Sequence, residues 1–186
     1  MMLRKLLSFI NKDNRGFTLI EMMVVLALTG VIGNALVITI NTTTDTVGKS
    51  RNQVDSTCQV RTAELWIQKD GKMAHTINLG SPSATGLPVT LVWHDWDGNK
   101  YQATYAIEDN VLVRNYEVLS PDNTVIESLT QIIAEDIVAG SPQTTCRVIE
   151  TGDKAGEIIF TMTVQQGDDK QKGLAIRTFE VRPRPA

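Results

Sequence analysis

A lone carboxylate lies within the most apolar part of this chain. Glu21 is the one charged residue in the run of 24 residues from Phe17 to Ile40. A carboxylate in the hydrocarbon of a bilayer is costly unless a cation neutralises it, and residues of this kind usually have a function. The chemistry expected of Glu21 is therefore ion pairing, with a cationic partner that remains to be found.

The run that holds Glu21 is long enough to cross a membrane. As a helix its 24 residues extend about 36 Å, and the hydrocarbon core of a bilayer is about 30 Å thick. Residues 1–16 have a net charge of +3, from four basic residues and one acid. Because positively charged flanks stay in the cytoplasm, the sequence predicts a cytoplasmic N-terminus, a single spanning segment and an extracytoplasmic head.

Three simpler interpretations of this run are weaker. A secretory signal peptide has a shorter apolar core and a cleavage site that follows small residues, and the run shows neither. A buried core helix of a small domain seldom has 24 nearly uncharged residues. A plain membrane anchor fits the run but leaves Glu21 and Gly16 without a role.

The residues around the start of the run resemble a known processing signal. Arg15 precedes the segment Gly16-Phe17-Thr18-Leu19-Ile20-Glu21. This order of basic flank, glycine, aromatic residue and glutamate resembles the cleavage and methylation motif of type IV prepilins and of the pseudopilins of type II secretion. The resemblance implies that a prepilin peptidase cuts between Gly16 and Phe17 and then methylates the new amine of Phe17.

The resemblance also implies a partner for Glu21. In this family the glutamate is thought to pair with the N-terminal amine of a neighbouring subunit, here that of Phe17, and so to set the register of assembly. Such pairing makes a buried charge tolerable at low dielectric. The implied partners are the peptidase, other pilin or pseudopilin subunits, an inner-membrane assembly platform and membrane lipid. The implied organisation is a leader at 1–16, an assembly helix at 17–40 and a head at 41–186.

The charge balance of the head restricts its partners. The predicted leader holds four of the 18 basic residues and one of the 21 acids, which leaves the mature chain a net charge of −6. No cluster of Lys or Arg follows residue 16. Proteins that bind nucleic acids through phosphates carry such clusters, so we expect no direct nucleic-acid binding by the head.

Two helices are expected in the head. Residues Val47–His75 should continue the anchor helix, and their apolar stripe should face the rest of the head. The predicted stripe consists of Val54, Cys58, Leu65 and Met73. A second, short amphipathic helix is predicted at Thr124–Val138, where Gly140 and Pro142 would end it.

The remaining segments have strand patterns. Apolar residues alternate with polar ones between turn residues such as Asp97-Gly98-Asn99 and Asp109-Asn110. An α+β fold is therefore expected, with a long N-terminal helix packed on an antiparallel sheet, and the pilin resemblance implies the same architecture. The predicted strands are Val89–Trp93, Tyr101–Ile107, Val111–Val118, Thr145–Glu150, Glu157–Gln165 and Gly173–Arg182.

Two cysteines, Cys58 and Cys146, lie in the predicted head. A disulfide between them would stabilise the fold by about 4–5 kcal/mol in the chain-entropy model. The even count and an oxidising compartment favour this bridge. The alternative is a pair of unbridged buried thiols that act as small hydrophobic residues.

No pattern in the sequence predicts catalysis or a cofactor. His75 and His94 are the only histidines, and we interpret both as surface or core-edge residues. The segment Asp95–Asn99 resembles the start of a calcium loop, but Lys100 and Ala106 replace the glycine and glutamate that such a loop needs. A hairpin turn is the preferred interpretation, with Trp93 or Trp96 exposed.

These patterns together predict a structural and assembly protein, and no enzyme. The sequence favours a minor pilin or pseudopilin that joins a type IV pilus, a type II secretion pseudopilus or a competence pseudopilus after leader cleavage. The alternative is a bitopic membrane protein whose extracytoplasmic head binds another protein and which joins no filament.

Overall fold

The computed structural model describes residues 18–80, 85–140, 142–150 and 156–184. The predicted leader, with Gly16, and the predicted N-terminal residue Phe17 lie outside these ranges. Contacts divide the chain into two compact units, with the boundary between Thr44 and Asp45. Helix α1 (Leu19–Met73) contributes residues to both units, and all the strands belong to the second.

The second unit contains two antiparallel sheets. The first sheet has five strands in sequence order: β1 (Thr76–Leu79), β2 (Val89–His94), β3 (Lys100–Glu108), β4 (Val111–Leu119) and β5 (Val125–Ala134). The second sheet has three strands, also in sequence order: β6 (Thr145–Val148), β7 (Ile158–Gln166) and β8 (Gly173–Val181). The six predicted strands are confirmed, and β1 and β5 are strands that the sequence did not predict.

One hydrophobic core joins α1 to both sheets. Alternate residues of each strand point into it, because side chains alternate between the faces of a sheet. A backbone hydrogen bond from Val138 to Thr163 (2.9 Å) and one from Gln165 to Asp136 (3.0 Å) tie the two sheets together. The fully buried large side chains of the core include Ile67, Leu91, Tyr105, Leu112, Phe160 and Met162. The predicted architecture, a long helix packed on antiparallel strands, is confirmed.

The face of α1 that packs on the sheets differs from the predicted stripe. Val54 is 59 % exposed and Leu65 61 % exposed, and of the predicted four only Met73 packs against the core. The helix instead turns inward a mixed face of small, apolar and charged residues, and the small ones let it approach the strands closely. The prediction of the inward face was therefore wrong. The residues of α1 that are buried are Ser56, Val60, Ala63, Ile67, Asp70 and Gly71.

The short helix predicted at Thr124–Val138 was also wrong, because β5 occupies this segment. Its pairing with β4 runs from Leu119↔Val125 to Leu112↔Ala134. The helix-like spacing of apolar residues does not reflect burial, since only Ile133 and Ala134 of the strand are buried. β-Branched residues are common in β5, and they favour extended structure.

Candidate functional site

The N-terminus of α1 is capped by the residues of the predicted motif. The amide of Glu21 donates to the carbonyl oxygen of Thr18 at 3.0 Å and to its hydroxyl oxygen at 3.3 Å. Thr18 is thus the N-cap and Glu21 the third helical residue, the spacing at which a Glu or Gln side chain can complete a capping box. The carboxylate of Glu21 lies in the first helical turn, where the helix dipole favours negative charge.

The segment that follows Glu21 has the properties of a membrane-spanning helix. It is the one described helix that is long and apolar enough to cross a membrane, and its large apolar side chains are exposed in the chain by itself. The hydroxyl of Thr29 donates to the carbonyl of Val25 at 2.7 Å, and that of Thr39 to Ala35 at 2.9 Å. These bonds satisfy the hydroxyls within the helix, as a lipid environment requires.

Within the second unit the most highly buried polar cluster joins α1 to the first sheet. The guanidinium of Arg114 donates to both carboxylate oxygens of Asp70, at 2.6 Å and 3.1 Å, and the hydroxyl of Tyr105 donates to the same carboxylate at 2.6 Å. Asp70 is 0 % and Arg114 5 % exposed. Burial, and then the charge of Asp70, raise the pKa of Tyr105, so it remains a neutral donor.

This cluster was missed in the sequence, although two signals pointed to it. Asp70 follows Ile67 by three residues, which places it on the same helix face. Arg114 alternates with Leu112 and Tyr116 in a strand whose other inward residues are apolar. Among the described residues no buried polar side-chain atom lacks a hydrogen-bond partner, and a fully satisfied network of this kind fixes how the helix packs on the sheet.

The segment that resembles a calcium loop forms a turn. The carboxylate of Asp97 accepts hydrogen bonds from the Asn99 amide at 2.9 Å and from the Tyr101 hydroxyl at 2.6 Å. These bonds, led by the one from Tyr101, lower the pKa of Asp97. Across the described ranges, no three His, Cys, Asp or Glu side chains cluster as metal ligands would. Trp96 is exposed and Trp93 is buried, which agrees with the expectation that one of the two is exposed.

The structure does not bring Cys58 and Cys146 together. Both cysteines are free, with Cys58 exposed and Cys146 buried. Cys58 is two positions from both Ser56 and Val60, which face the core, and therefore lies about 200° around the helix from each. The predicted Cys58–Cys146 disulfide is thus not formed in this structure. Only Cys146 fits the alternative of a buried thiol that acts as a small hydrophobic residue.

We expect a thiol reagent to label one cysteine in the folded chain and two after unfolding. The thiolate is the reactive form, and burial raises the pKa of Cys146 to about 12, so its thiolate fraction near neutral pH is negligible. Mass spectrometry after maleimide treatment, with and without denaturant, measures the count. Cys58→Ser should abolish labelling of the folded chain, whereas Cys146→Ser should not change it. Two unreactive cysteines that become reactive after reduction would instead establish the disulfide.

Comparison with protein families gives one match. The model of the prokaryotic N-terminal methylation motif matches residues 11–33. The match includes Gly16 and Phe17, which lie outside the described residues, and Glu21, which lies in the first turn of α1. No curated protein and no solved structure shows significant similarity to the chain.

The match and the helix agree in position. The motif ends within the apolar part of α1, which is consistent with a single-pass membrane anchor. A motif of this type points to a structural protein, and it implies cleavage by a prepilin peptidase and assembly with other pilins. The chain therefore carries the processing and methylation signal of type IV prepilins and pseudopilins, on a pilin-like α+β fold.

Proposed function

We propose that the chain is a minor pilin or pseudopilin, a structural subunit of a type IV pilus or of a type II secretion or competence pseudopilus. The leader 1–16 is removed by cleavage between Gly16 and Phe17, and the amine of Phe17 is methylated. The segment 17–40 then anchors the subunit in the membrane and packs in the filament, with the head 41–186 outside the cytoplasm. The methylation motif at residues 11–33 is the observation that carries this proposal.

The register of assembly depends on Glu21. In the separate subunit this side chain is exposed on a helix end that lipid would surround, where its charge is costly. The amine of Phe17 on a neighbouring subunit supplies the cation that relieves this cost. Because the carboxylate is neutralised only when the two helices are in register, the ion pair selects one arrangement of neighbours.

The head half of α1 supports an assembly role as well. Val47, Val54 and Leu65 are each about 60 % exposed, at 61 %, 59 % and 61 %. Cys58 lies at the same angular position, because spacings of 7, 11 and 18 residues return to nearly the same side of a helix. This uncovered apolar stripe is suited to contact with the helix of a neighbouring subunit.

We expect Glu21→Ala and Glu21→Gln to remove the subunit from sheared filaments or cross-linked pilin complexes. The two variants separate the charge from helix capping, because Gln removes the charge but keeps a side chain that can form a capping box, whereas Ala removes both. Immunoblotting of sheared fractions from cells with the assembly machinery measures incorporation. Mass spectrometry of the membrane form provides the control, since both variants should still begin at methylated Phe17.

Two outcomes would contradict the proposal. Normal incorporation of Glu21→Gln would assign Glu21 to capping the helix and reject the ion pair. A wild-type chain that retains Met1 in cells with an active peptidase would favour the bitopic protein with a protein-binding head.

A further inference from the structure

Strand β5 presents the longest open strand edge in the described part of the chain. The edge strands β1 and β6 have four residues each. The edge of β8, a strand of nine residues, is bonded by α1 near its start, where the side chain of Gln53 donates to the carbonyl of Leu174 at 2.8 Å and accepts from its amide at 3.2 Å. β5 has ten residues, and its only neighbour in the sheet is β4. Soluble proteins usually shorten, charge or cover such an edge.

Strand β5 exposes large apolar side chains on both faces of the sheet. Leu129 pairs with Tyr116 and shares its face, whereas Ile132 pairs with Val113 on the opposite face. Leu129 is 45 % and Ile132 65 % exposed, and Val125 and Ile126 are 57 % and 59 % exposed. An added strand would cover apolar surface on both faces at once, which a partner lying on one face alone would not do.

A cavity of about 430 Å³ adjoins one face of this edge. Leu129 and Gln131 belong both to β5 and to the cavity wall. The remaining wall combines four aromatic rings with four charged side chains, and the Arg114 guanidinium lies 4.9 Å from the ring centre of Trp66 and 4.7 Å from that of Tyr116. When an extended segment adds to a sheet edge, main-chain hydrogen bonds supply affinity, and pockets beside the edge select every second side chain of that segment. This cavity suits a large apolar or aromatic side chain.

The charges around β5 distinguish between possible occupants. Residues 115–146 contain five acids and no Lys or Arg, and Arg114, which lies beside Gln131 on β4, is paired with Asp70. Asp122 and Glu127 lie toward one end of the strand, and Glu135 and Asp136 follow the other. A second copy of β5 would place acids against acids in either direction, which is unfavourable for cross-strand neighbours. A strand with basic residues at its ends is complementary.

We propose that β5 is a docking edge for an extended apolar segment of another protein, flanked by Lys or Arg, which adds to the first sheet as a sixth strand. One large side chain of this segment, on the face of the sheet that Leu129 shares, lies over the cavity. This interaction goes beyond the assembly function proposed above. It uses only head residues and does not depend on Glu21 or on leader cleavage.

The test uses synthetic strand peptides and the full chain in phosphatidylcholine nanodiscs. The probe is a fluorescein-labelled peptide of about eight alternating valines and threonines, with lysines at both ends, and its matched control has glutamates there. Fluorescence anisotropy should show the lysine peptide binding at least about tenfold more tightly, as a few favourable cross-strand charge pairs predict. Empty nanodiscs report binding to lipid.

Peptide variants test the strand geometry. N-methylation of alternate residues removes the hydrogen-bond donors of one edge only, so methylation of one edge should abolish binding and methylation of the other should not. Tryptophan in place of one valine should tighten binding when it faces the cavity and not when it occupies the other face.

Chain variants test the location. Ile132→Lys should weaken binding of the lysine peptide about tenfold or more, by adding a like charge and removing apolar contact. Ile176→Lys is the matched control, because Ile176 on β8 is exposed to nearly the same extent, 64 % against 65 %. The pair Glu127→Gln and Glu135→Gln should reduce the preference for lysine over glutamate flanks, because one acid is neutralised near each end of β5.

Several results would overturn the proposal. These are equal binding of the two peptides, equal effects of methylation on either edge, or equal losses in Ile132→Lys and Ile176→Lys. Cross-linking between copies of the chain that Ile132→Lys abolishes would assign the edge to self-association and overturn it as well.

Discussion

Asp70→Ala is expected to lower the free energy of unfolding by about 3–5 kcal/mol, because it leaves the buried guanidinium of Arg114 without its counter-ion. Both partners are almost completely removed from solvent, and Tyr105 loses its acceptor at the same time. Guanidinium-induced unfolding followed by circular dichroism measures the change.

The matched control is Asp55→Ala on the same helix. Asp55 pairs with Arg51 at 3.9 Å, with side chains 50 % and 83 % exposed, and exposed pairs contribute about 0–1 kcal/mol. A further variant replaces both buried partners, by Asp70→Leu and Arg114→Met, and should be less destabilised than Asp70→Ala because no charge is left unpaired. Equal losses for Asp70→Ala and Asp55→Ala would show that the buried pair does not hold α1 on the sheet.

Gly173→Val is expected to destabilise the head by about 3 kcal/mol or more, since overpacking at a backbone contact leaves no side chain free to move. A Cβ atom at position 173 would overlap the main chain of Asn52 in α1. The same contact carries hydrogen bonds from Asn52 to the carbonyl of Gln171 at 2.6 Å and from Ser56 to that of Gly173 at 3.2 Å. Unfolding experiments measure the loss of stability.

Hydrogen exchange at Leu174 provides a local measurement, because its amide donates to Gln53 of α1. Gly173→Val should accelerate this exchange before the rest of the head is affected. Gly33→Ala is the control, since an added Cβ there would meet no atom within 4 Å. Unchanged exchange at Leu174 in Gly173→Val would mean that this strand does not depend on contact with the helix.

The parts of the fold that the sequence predicted share strong local signals. The anchor helix follows from an uninterrupted apolar run, and the β3–β4 hairpin from Asp109-Asn110, whose φ angles of 50° and 64° fit a two-residue turn. Glu21 was identifiable because a charge in an apolar run is costly wherever the fold places it.

The parts that the sequence did not predict depend on tertiary contacts. Ser56, Ala63 and Asp70 interrupt the apolar pattern on the buried face of α1, because close approach and ion pairing add to hydrophobic burial there. Strand β5 was interpreted as a helix because its apolar residues were assumed to be buried. The predicted position of Cys58 was wrong for the same reason, because Cys58 was assigned to the inward face of α1.

The hairpin between β2 and β3 ends in a side chain that reports on its own surroundings. Trp96 is 93 % exposed at this tip, whereas Trp93, three residues earlier, is 7 % exposed. Indole emission shifts with the polarity around the ring, so Trp93 and Trp96 emit from different environments, and the half-buried Trp66 of α1 adds a third contribution. A small aqueous quencher reaches Trp96 and not Trp93. A molecule that covers the hairpin tip would thus be detected, without an added dye, by a blue shift in the emission of Trp96.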